Sequence, residues 1–397
     1  MTKDSDFGLG FGLTEDQITF REQAKRFFID TFRPLEQKMD EQAWMPDDAY
    51  SKLGEMGYLG LTIPDTYGGT GLDYLTAGLI TEVMAESNPS LAFSVIAHGN
   101  LCLDNLYRNG NEAQRAHYVP KLCSGEWIGG LAMTEPEAGS DAIGSMRTKA
   151  LLDGDEFVLS GTKIYITNGN IADVLIVYAK TDLGEKGKGV TAFILETNSP
   201  GFKVTRKLDK MGWRGSPLTE LLFDEVRVPV SQVLGEPNKG VGVMMSGLDL
   251  ERAMVTPLSL GTAQRALELS IEHAKTRQQF KAPIASFQLI QAKIAKMYMR
   301  IESARSLCYR ALRVCDESND LTQAGRGAIH QLTAAALHEA ASAASFVMDE
   351  AAQIHGGSAY MSDTEINRLY RTSKVMEIAA GTQEIRKLIV AGELLKD

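Results

Sequence analysis

Cysteine is scarce in this chain: Cys102, Cys123, Cys308 and Cys315 are the only four in 397 residues, with no CxxC spacing and no paired-histidine pattern beside them. That excludes a disulfide-built scaffold, argues against a metal site, and leaves free, buried thiols in a reducing compartment as the expectation. Positive charge is also short. Lys and Arg total 41 against 51 Asp and Glu, a net charge of -10, and the basic residues are scattered, so a surface that tracks nucleic-acid phosphates is not expected. No apolar run approaches the roughly 20 residues that cross a bilayer, so no membrane span is expected. The opening "MTKDSDFGLGFGLTEDQ" has acidic residues, no Arg and no apolar stretch, and so resembles neither a secretory signal nor a transit peptide. A cytoplasmic address follows as the expectation, although an organellar chain trimmed of its leader would read the same way.

Several catalytic signatures are missing too. There is no GxSxG, and the six histidines form no HExxH or nucleophile pattern. "GEKGKGVT" at 184–191 fails the phosphate-loop spacing and reads as a hairpin tip. His355, in "QIHGGSAY", reads as a helix-end residue rather than a ligand.

What is present falls into three blocks: a helical region over 1–126, a β region over 127–240, and a second helical region over 241–397. The first begins at "LTEDQITFREQAKRFFIDTF", where Thr14 and Gln17 have the spacing of a capping box. In the second, short runs such as "EFVLSG", "KIYITNG", "ADVLIVYAK" and "GVTAFILE" are separated by turn residues, the pattern of an antiparallel β domain. In the third, "FQLIQAKIAKMYMRIESARSLCYRAL" and "AIHQLTAAALHEAASAASFVMDEAAQI" carry apolar residues three and four apart, as in a bundle of long helices. The fold class is α+β.

Within the third block, "MSGLDLERAM" at 245–254 puts an acid on a greasy face. On a helix, Glu251 aligns with Leu248, Met254, Val255 and Leu258, while Asp249 and Arg252 are three apart and can pair with each other. Glu251 is left without that counter-charge. Pro257 follows six residues later, so the helix either kinks there or starts later than the pattern suggests.

Two loops suit a ligand. "LAMTEPEAGSD" at 131–141 joins an apolar strand to small and hydroxyl residues, and "KIYITNG" at 163–169 puts Tyr165 and Thr167 on one strand face. Alone, each reads more readily as a structural turn. Together with "KTRQQF" at 275–280, "QIHGG" at 353–357 and "GTQEIRK" at 381–387, they stand in the order seen in acyl-CoA dehydrogenases. The chain resembles that flavoprotein family over nearly its whole length. "AHGNLC", "RNGNEAQ", "ADVLIVYAKTD" and "MSGLDLER" make it most similar to the isovaleryl-CoA dehydrogenase branch.

The resemblance implies an N-terminal helical domain, a central β domain and a C-terminal four-helix-bundle-like domain. It implies FAD as cofactor and oxidation of an acyl-CoA thioester to the trans-2-enoyl-CoA, the α-proton going to a glutamate and the β-hydrogen leaving as hydride to flavin N5. Most branches carry that glutamate in the stretch matching "EIAAGTQ", where this chain has Ala380; in the isovaleryl branch it comes from the "DLER" helix, which makes Glu251 the base. The backbone N–H of Ala380 is then an expected donor to the thioester oxygen. Leu131, Met133, Thr134, Ser140, Tyr165 and Thr167 are the implied flavin contacts of the β region. Arg277, Phe280, Gln288, Gln353 and Gly357 match residues that hold the ADP part across a subunit interface, and Thr382 and Glu384 the C-terminal flavin contacts. Ser140, Asp249, Arg252, Ala379 and Gly381 are the implied substrate contacts.

The resemblance also implies a homotetramer and an electron-transferring flavoprotein as electron acceptor, with roles in leucine or fatty acid metabolism. Small Ala379 and Ala380 favour a short branched acyl chain. Gly242 and Pro257 depart from the branch pattern and bear on a longer 3-branched or straight-chain substrate. An acyl-CoA oxidase and a non-catalytic flavin-binding assembly protein are the alternatives of different class.

Overall fold

The protein is described by a computed structural model covering residues 10–182, 184, 189–318 and 327–396. The middle of "GEKGKGVT", residues 185–188, therefore lies outside the described residues, and with it the expected hairpin tip.

The first region is helical: α1 (Glu15–Thr31), α2 (Glu36–Gln42), α3 (Ala49–Glu55), α4 (Tyr74–Ser87), α5 (Pro89–Ile96), α6 (Asn105–Asn109) and α7 (Glu112–Ser124). Thr14 caps α1 as its spacing predicts, accepting from the Gln17 N–H at 3.2 Å while the Gln17 side chain accepts from the Thr14 N–H at 3.1 Å. Between α5 and α6 the chain winds as a π-helix over Ala97–Asp104, a form that recurs near functional sites. Buried His98 in that stretch accepts from the Gly129 N–H at 2.9 Å through Nδ1, so its Nε2 carries the proton and meets the Leu122 carbonyl at 3.0 Å. This pins the start of the sheet to the end of α7.

The sheet consists of β1 (Gly129–Ala132), β2 (Lys149–Asp153), β3 (Glu156–Thr167), β4 (Val174–Lys180), β5 (Val190–Glu196), β6 (Phe202–Lys207), β7 (Leu218–Pro229) and β8 (Val233–Leu234). Its order is β6-β7-β3-β2-β4-β5-β8, with β1 paired to β4. The antiparallel expectation needs correction: β1 runs parallel to β4 along its whole length, and β2 meets β4 in parallel at Lys149 and Lys180. Two of the four β1 residues are glycine, so no side-chain alternation in the sequence could signal its direction. The sheet is mixed. Strands β4 and β5 are buried on both faces, which accounts for their unbroken apolar runs.

The last region holds α8 (Gly240–Thr276), α9 (Gln288–Glu317), α10 (Gly327–His355), α11 (Glu365–Thr372) and α12 (Gln383–Leu394). α8, α9 and α10 pack on one another and α12 lies against α10, the bundle that the long apolar periodicities predict. α8 starts well before Pro257 and runs through it. The helix tolerates the lost backbone bond because α4 packs tightly against it: a Cβ on Gly78 would lie 3.4 Å from the Pro257 ring, and one on Gly261 only 2.0 Å from the Glu82 carbonyl oxygen. Val255 and Leu258 of α8 join residues of α1, α4 and α5 in one apolar core, so the helix carrying Glu251 is held between the two helical regions. Among the described residues no helix is long and apolar enough to cross a membrane, and the four cysteines are free and buried.

Candidate active site

The DLER turn lies deep in this interior. Glu251 is 8% exposed. Burial pushes its carboxyl up from 4.5 to about 7, against the opposing pull of the Arg252 and Arg386 guanidinium groups. Of the residues sharing its predicted stripe, Met254, Val255 and Leu258 are buried and Leu248 is half-buried. The acid does have a second cation nearby, one that helical spacing could not reveal: Arg386, from α12, is fully buried. Asp249 and Arg252 pair as their spacing predicts, with Nη1 2.8 Å from Oδ1. Asp249 has no exposed surface, and its Oδ1 also receives His330 Nδ1 at 2.6 Å. Asp249 is therefore joined to the site through Arg252.

Facing α8 is the turn before α12. Ala380 and Gly381 both have left-handed backbones, φ +56° and +92°. An alanine there is strained, and two arginines brace it. Arg252 Nε donates to the Ala380 carbonyl at 3.2 Å, and Arg386 Nη2 donates to the Ala379 carbonyl. Among the described residues the Ala380 N–H makes no hydrogen bond, whereas the N–H before it is tied to the Val375 carbonyl at 2.8 Å. Thr382 caps α12 by accepting from the Ile385 N–H at 3.3 Å, and Glu384 lies exposed in its first turn.

On the sheet, Leu131 and Met133 are half-buried against a core shared by α7, β4 and β5. The loop that follows is locked to β3: the Ile164 N–H donates to the Thr134 carbonyl at 2.9 Å. Lys163, wholly buried, donates to the Met133 carbonyl and to Glu135, each at 2.9 Å. Glu135 in turn accepts from the Arg147 and Thr148 N–H groups at 2.6 and 3.0 Å. Burial, the largest single influence, would raise the Glu135 carboxyl, but the Lys163 ammonium and the hydrogen bonds from Thr148, Lys163 and the Arg147 N–H together outweigh it, and the carboxyl falls below its ordinary value.

At Lys163/Ile166 the β3–β7 register shifts, and Tyr165 adopts φ +60° with 62% of its surface exposed. The bulge sends Lys163 inward and Tyr165 outward. The Thr134 and Thr167 hydroxyls make no hydrogen bond to any described residue. An open ring edged by free hydroxyls fits a planar flavin with polar edges. Ser140 is exposed on the same loop.

Arg277, Phe280, Gln288, Gln353 and Gly357 form a second group, all exposed, Phe280 by 90%. Their segments gather at one end of the bundle: Ile284, Phe287, Ile354 and Ala359 share one core, and His273 stacks on His355 at 4.4 Å. His355 does end α10, with Nδ1 2.8 Å from the Ala351 carbonyl.

Met254, on the same helix as Glu251, helps to wall a cavity of about 20 Å³, roughly one water's room. It is walled by Leu59 and Leu61, by Thr81 and Met84 of α4, by Val95, Gly99 and Asn100, and from α8 by Met254, about one turn past Glu251. Gly242, Pro257, Ala379 and Ala380 are not among its lining residues, and a Cβ on Gly242 would meet open space.

Sequence reasoning misses four residues of this arrangement: Arg386, His330, Lys163 and Glu135. All four stand inside quoted stretches, yet a charged or polar residue carries no local sign that it is buried.

Comparison with known proteins shows what the whole chain is similar to. Residues 14–126, 130–226 and 238–395 match the N-terminal, middle and C-terminal domain models of acyl-CoA dehydrogenase. The chain is 42% identical over 383 residues to the mitochondrial isovaleryl-CoA dehydrogenase of Pongo abelii, covering 96% of this chain and 88% of that one. It superposes on butyryl-CoA dehydrogenase from Megasphaera elsdenii with TM-score 0.92 and 35% identity, covering 97% and 100% of the two chains. A chain from a structure of the electron transferring flavoprotein of Acidaminococcus fermentans, described in terms of flavin-based electron bifurcation, matches with TM-score 0.93 and 34% identity over 98% and 100%.

Proposed function

The chain belongs to the acyl-CoA dehydrogenase family, and from that premise we propose that it removes the α-proton of an acyl-CoA thioester with Glu251, giving the trans-2-enoyl-CoA. It is an FAD-dependent oxidoreductase. FAD supplies the hydride acceptor: the substrate gives up one proton from Cα and one hydride from Cβ, and a carbon–carbon double bond remains.

The observation that carries the reading is the pairing of Glu251 with the Ala380 turn. A carboxyl raised to about 7 is a stronger base than an ordinary glutamate, and it is ionised above that pH. An α-proton beside a thioester is still a weak acid, so charge developing on the thioester oxygen needs a donor. The free N–H of Ala380 provides one, and its methyl side chain carries no group that could act as a base. Leu131, Met133, Thr134, Tyr165 and Thr167 would line the flavin, with Thr382 and Glu384 at its other side. Arg277, Phe280, Gln288, Gln353 and Gly357 would hold the ADP part where protomers meet. Ser140, Arg252 and, through it, Asp249 would hold the CoA arm, with Ala379 and Gly381 beside the acyl chain.

A short branched acyl chain of the isovaleryl type is the proposed substrate, supported by the small Ala379–Ala380 pair and by the isovaleryl-CoA dehydrogenase relative. The cavity past Met254 favours a second reading, a longer 3-branched or straight chain, because its two methionines are flexible enough to let a tail in. Assembly as a homotetramer in the cytoplasm, with an electron-transferring flavoprotein as acceptor, completes the proposal.

Anaerobic mixing with straight acyl-CoA thioesters from butyryl to palmitoyl, and with isovaleryl, isobutyryl and longer 3-methyl thioesters, tests it. Fast bleaching of the flavin by a branched short chain is expected. Fast bleaching only by long straight chains would overturn the short-branched assignment, and no bleaching by any member would overturn the reaction.

A further inference from the structure

Two consecutive carbonyl groups, those of Ala379 and Ala380, each accept from an arginine on a different helix: Arg386 of α12 and Arg252 of α8. Both arginines are buried, and each is itself held. Arg252 is gripped by Asp249, whose Oδ1 also takes His330 Nδ1 at 2.6 Å. A carboxylate only accepts, so Nδ1 carries the proton and donates. Arg386 is steadied by Gln383 Oε1 at 3.5 Å, and the Gln383 amide donates to Ser342 Oγ of α10 at 2.9 Å. The turn thus has a prop from each side, both anchored on α10.

The backbone explains why props are needed. Ala380 pays the left-handed strain of a side chain at φ +56°, and Gly381 follows at +92° with Arg252 close by: a Cβ there would lie 3.9 Å from Nη2. Without bonds on both carbonyls, the peptide between Ala379 and Ala380 could rotate to a relaxed conformation and its N–H would leave the site. A donor at an oxyanion site acts by being fixed in advance, so its orientation matters as much as its presence.

We propose that His330 and Arg386 are positioning residues for the reaction, clamping the 379–380 carbonyls from two sides so that the Ala380 N–H stays aimed at the thioester oxygen. Neither residue need touch the substrate for this role. The inference rests on the reading of Glu251 and Ala380 given above.

His330 provides the cleaner test, because the charges acting on Glu251 are Arg252 and Arg386, not His330. The probe is a 3-thiaacyl-CoA, whose α-proton is acidified by sulfur and whose enolate gives a long-wavelength band beside oxidised flavin. In His330→Leu holoenzyme, kcat should fall about tenfold with KM within about twofold, and the pH midpoint of the band should rise by about one unit. His330→Asn, which keeps a donor near the Nδ1 position, should restore most of both. Arg386→Gln should act in the same direction and Arg386→Lys should recover part of the loss. If Arg386→Gln does not fold, His330→Leu and Arg386→Lys decide. Damage to packing alone lowers the band at every pH without moving its midpoint, and that result would overturn the proposal, as would unchanged kcat in both His330→Leu and Arg386→Lys. Failure of the underlying reading looks different: wild-type protein would then form no band, or Glu251→Gln would keep turnover.

Discussion

Arg252 Nε lies 3.2 Å from the carbonyl oxygen of Ala380, 128 residues further along the chain. One hydrogen bond therefore ties the helix bearing the proposed base to the turn bearing the proposed oxyanion donor. The distance between base and donor is set by a buried side chain rather than by two independently moving segments.

Glu251 should cost the protein stability at alkaline pH. Its folded-state value of about 7 lies above the ordinary 4.5, so the folded state binds the proton more tightly. The stability it contributes is fully present below about pH 4.5 and is lost as the pH rises through about 7. Glu251→Gln should then be the more stable protein above about pH 8, by up to about 3 kcal/mol, and the gap should close below about pH 5. Thermal melts across that range check it.

Lys163→Met should destabilise by about 3–5 kcal/mol, because it strands the Glu135 carboxylate in the interior. It also frees the Met133 carbonyl and loosens the 131–135 strand end. Lower flavin content in the purified variant, read from the ratio of visible to ultraviolet absorbance, should accompany the loss of thermal stability.

Met254 should set how long a tail the site accepts. Met254→Phe narrows the cavity that Met254 walls, so KM for a long-chain thioester should rise about tenfold, the worth of one or two methylenes of apolar contact. Values for isovaleryl-CoA should stay within about twofold. Steady-state kinetics on the two substrates compare them directly.

Two glycines of α8 should behave oppositely. Gly261→Ala would place a Cβ 2.0 Å from the Glu82 carbonyl oxygen and force α4 from α8, with a loss of roughly 1–3 kcal/mol. Gly242→Ala meets open space and should gain about 0.5 kcal/mol from reduced chain entropy. Chemical denaturation of both variants measures the difference.

The parts of this molecule legible in its sequence are those encoded by local spacing. Thr14 and Gln17 announce a helix start, Asp249 and Arg252 announce their own ion pair, and Glu251 stands out because its helical neighbours are apolar. What escapes the sequence is encoded by partners far along the chain. Arg386 looks like a surface residue of an exposed helix until the Ala379 carbonyl and α10 close over it. Tyr165 and Thr167 read as plain strand positions, and neither the bulge that turns Tyr165 outward nor the contact of Lys163 with Glu135 beside it has a local signal. The parallel pairing of β1 with β4 and the hold of His98 on Gly129 are both contacts between distant parts of the chain, which no periodicity can express.

The most direct test of the account is the rate of anaerobic flavin bleaching by isovaleryl-CoA in wild-type and Glu251→Gln protein, with FAD content and thioester binding measured on both. Loss of the base should slow bleaching by about a thousandfold, within the range of roughly a hundredfold to ten-thousandfold that a single acid–base group supplies. Bleaching within about tenfold of wild type would contradict the assignment of Glu251 and with it the central claim.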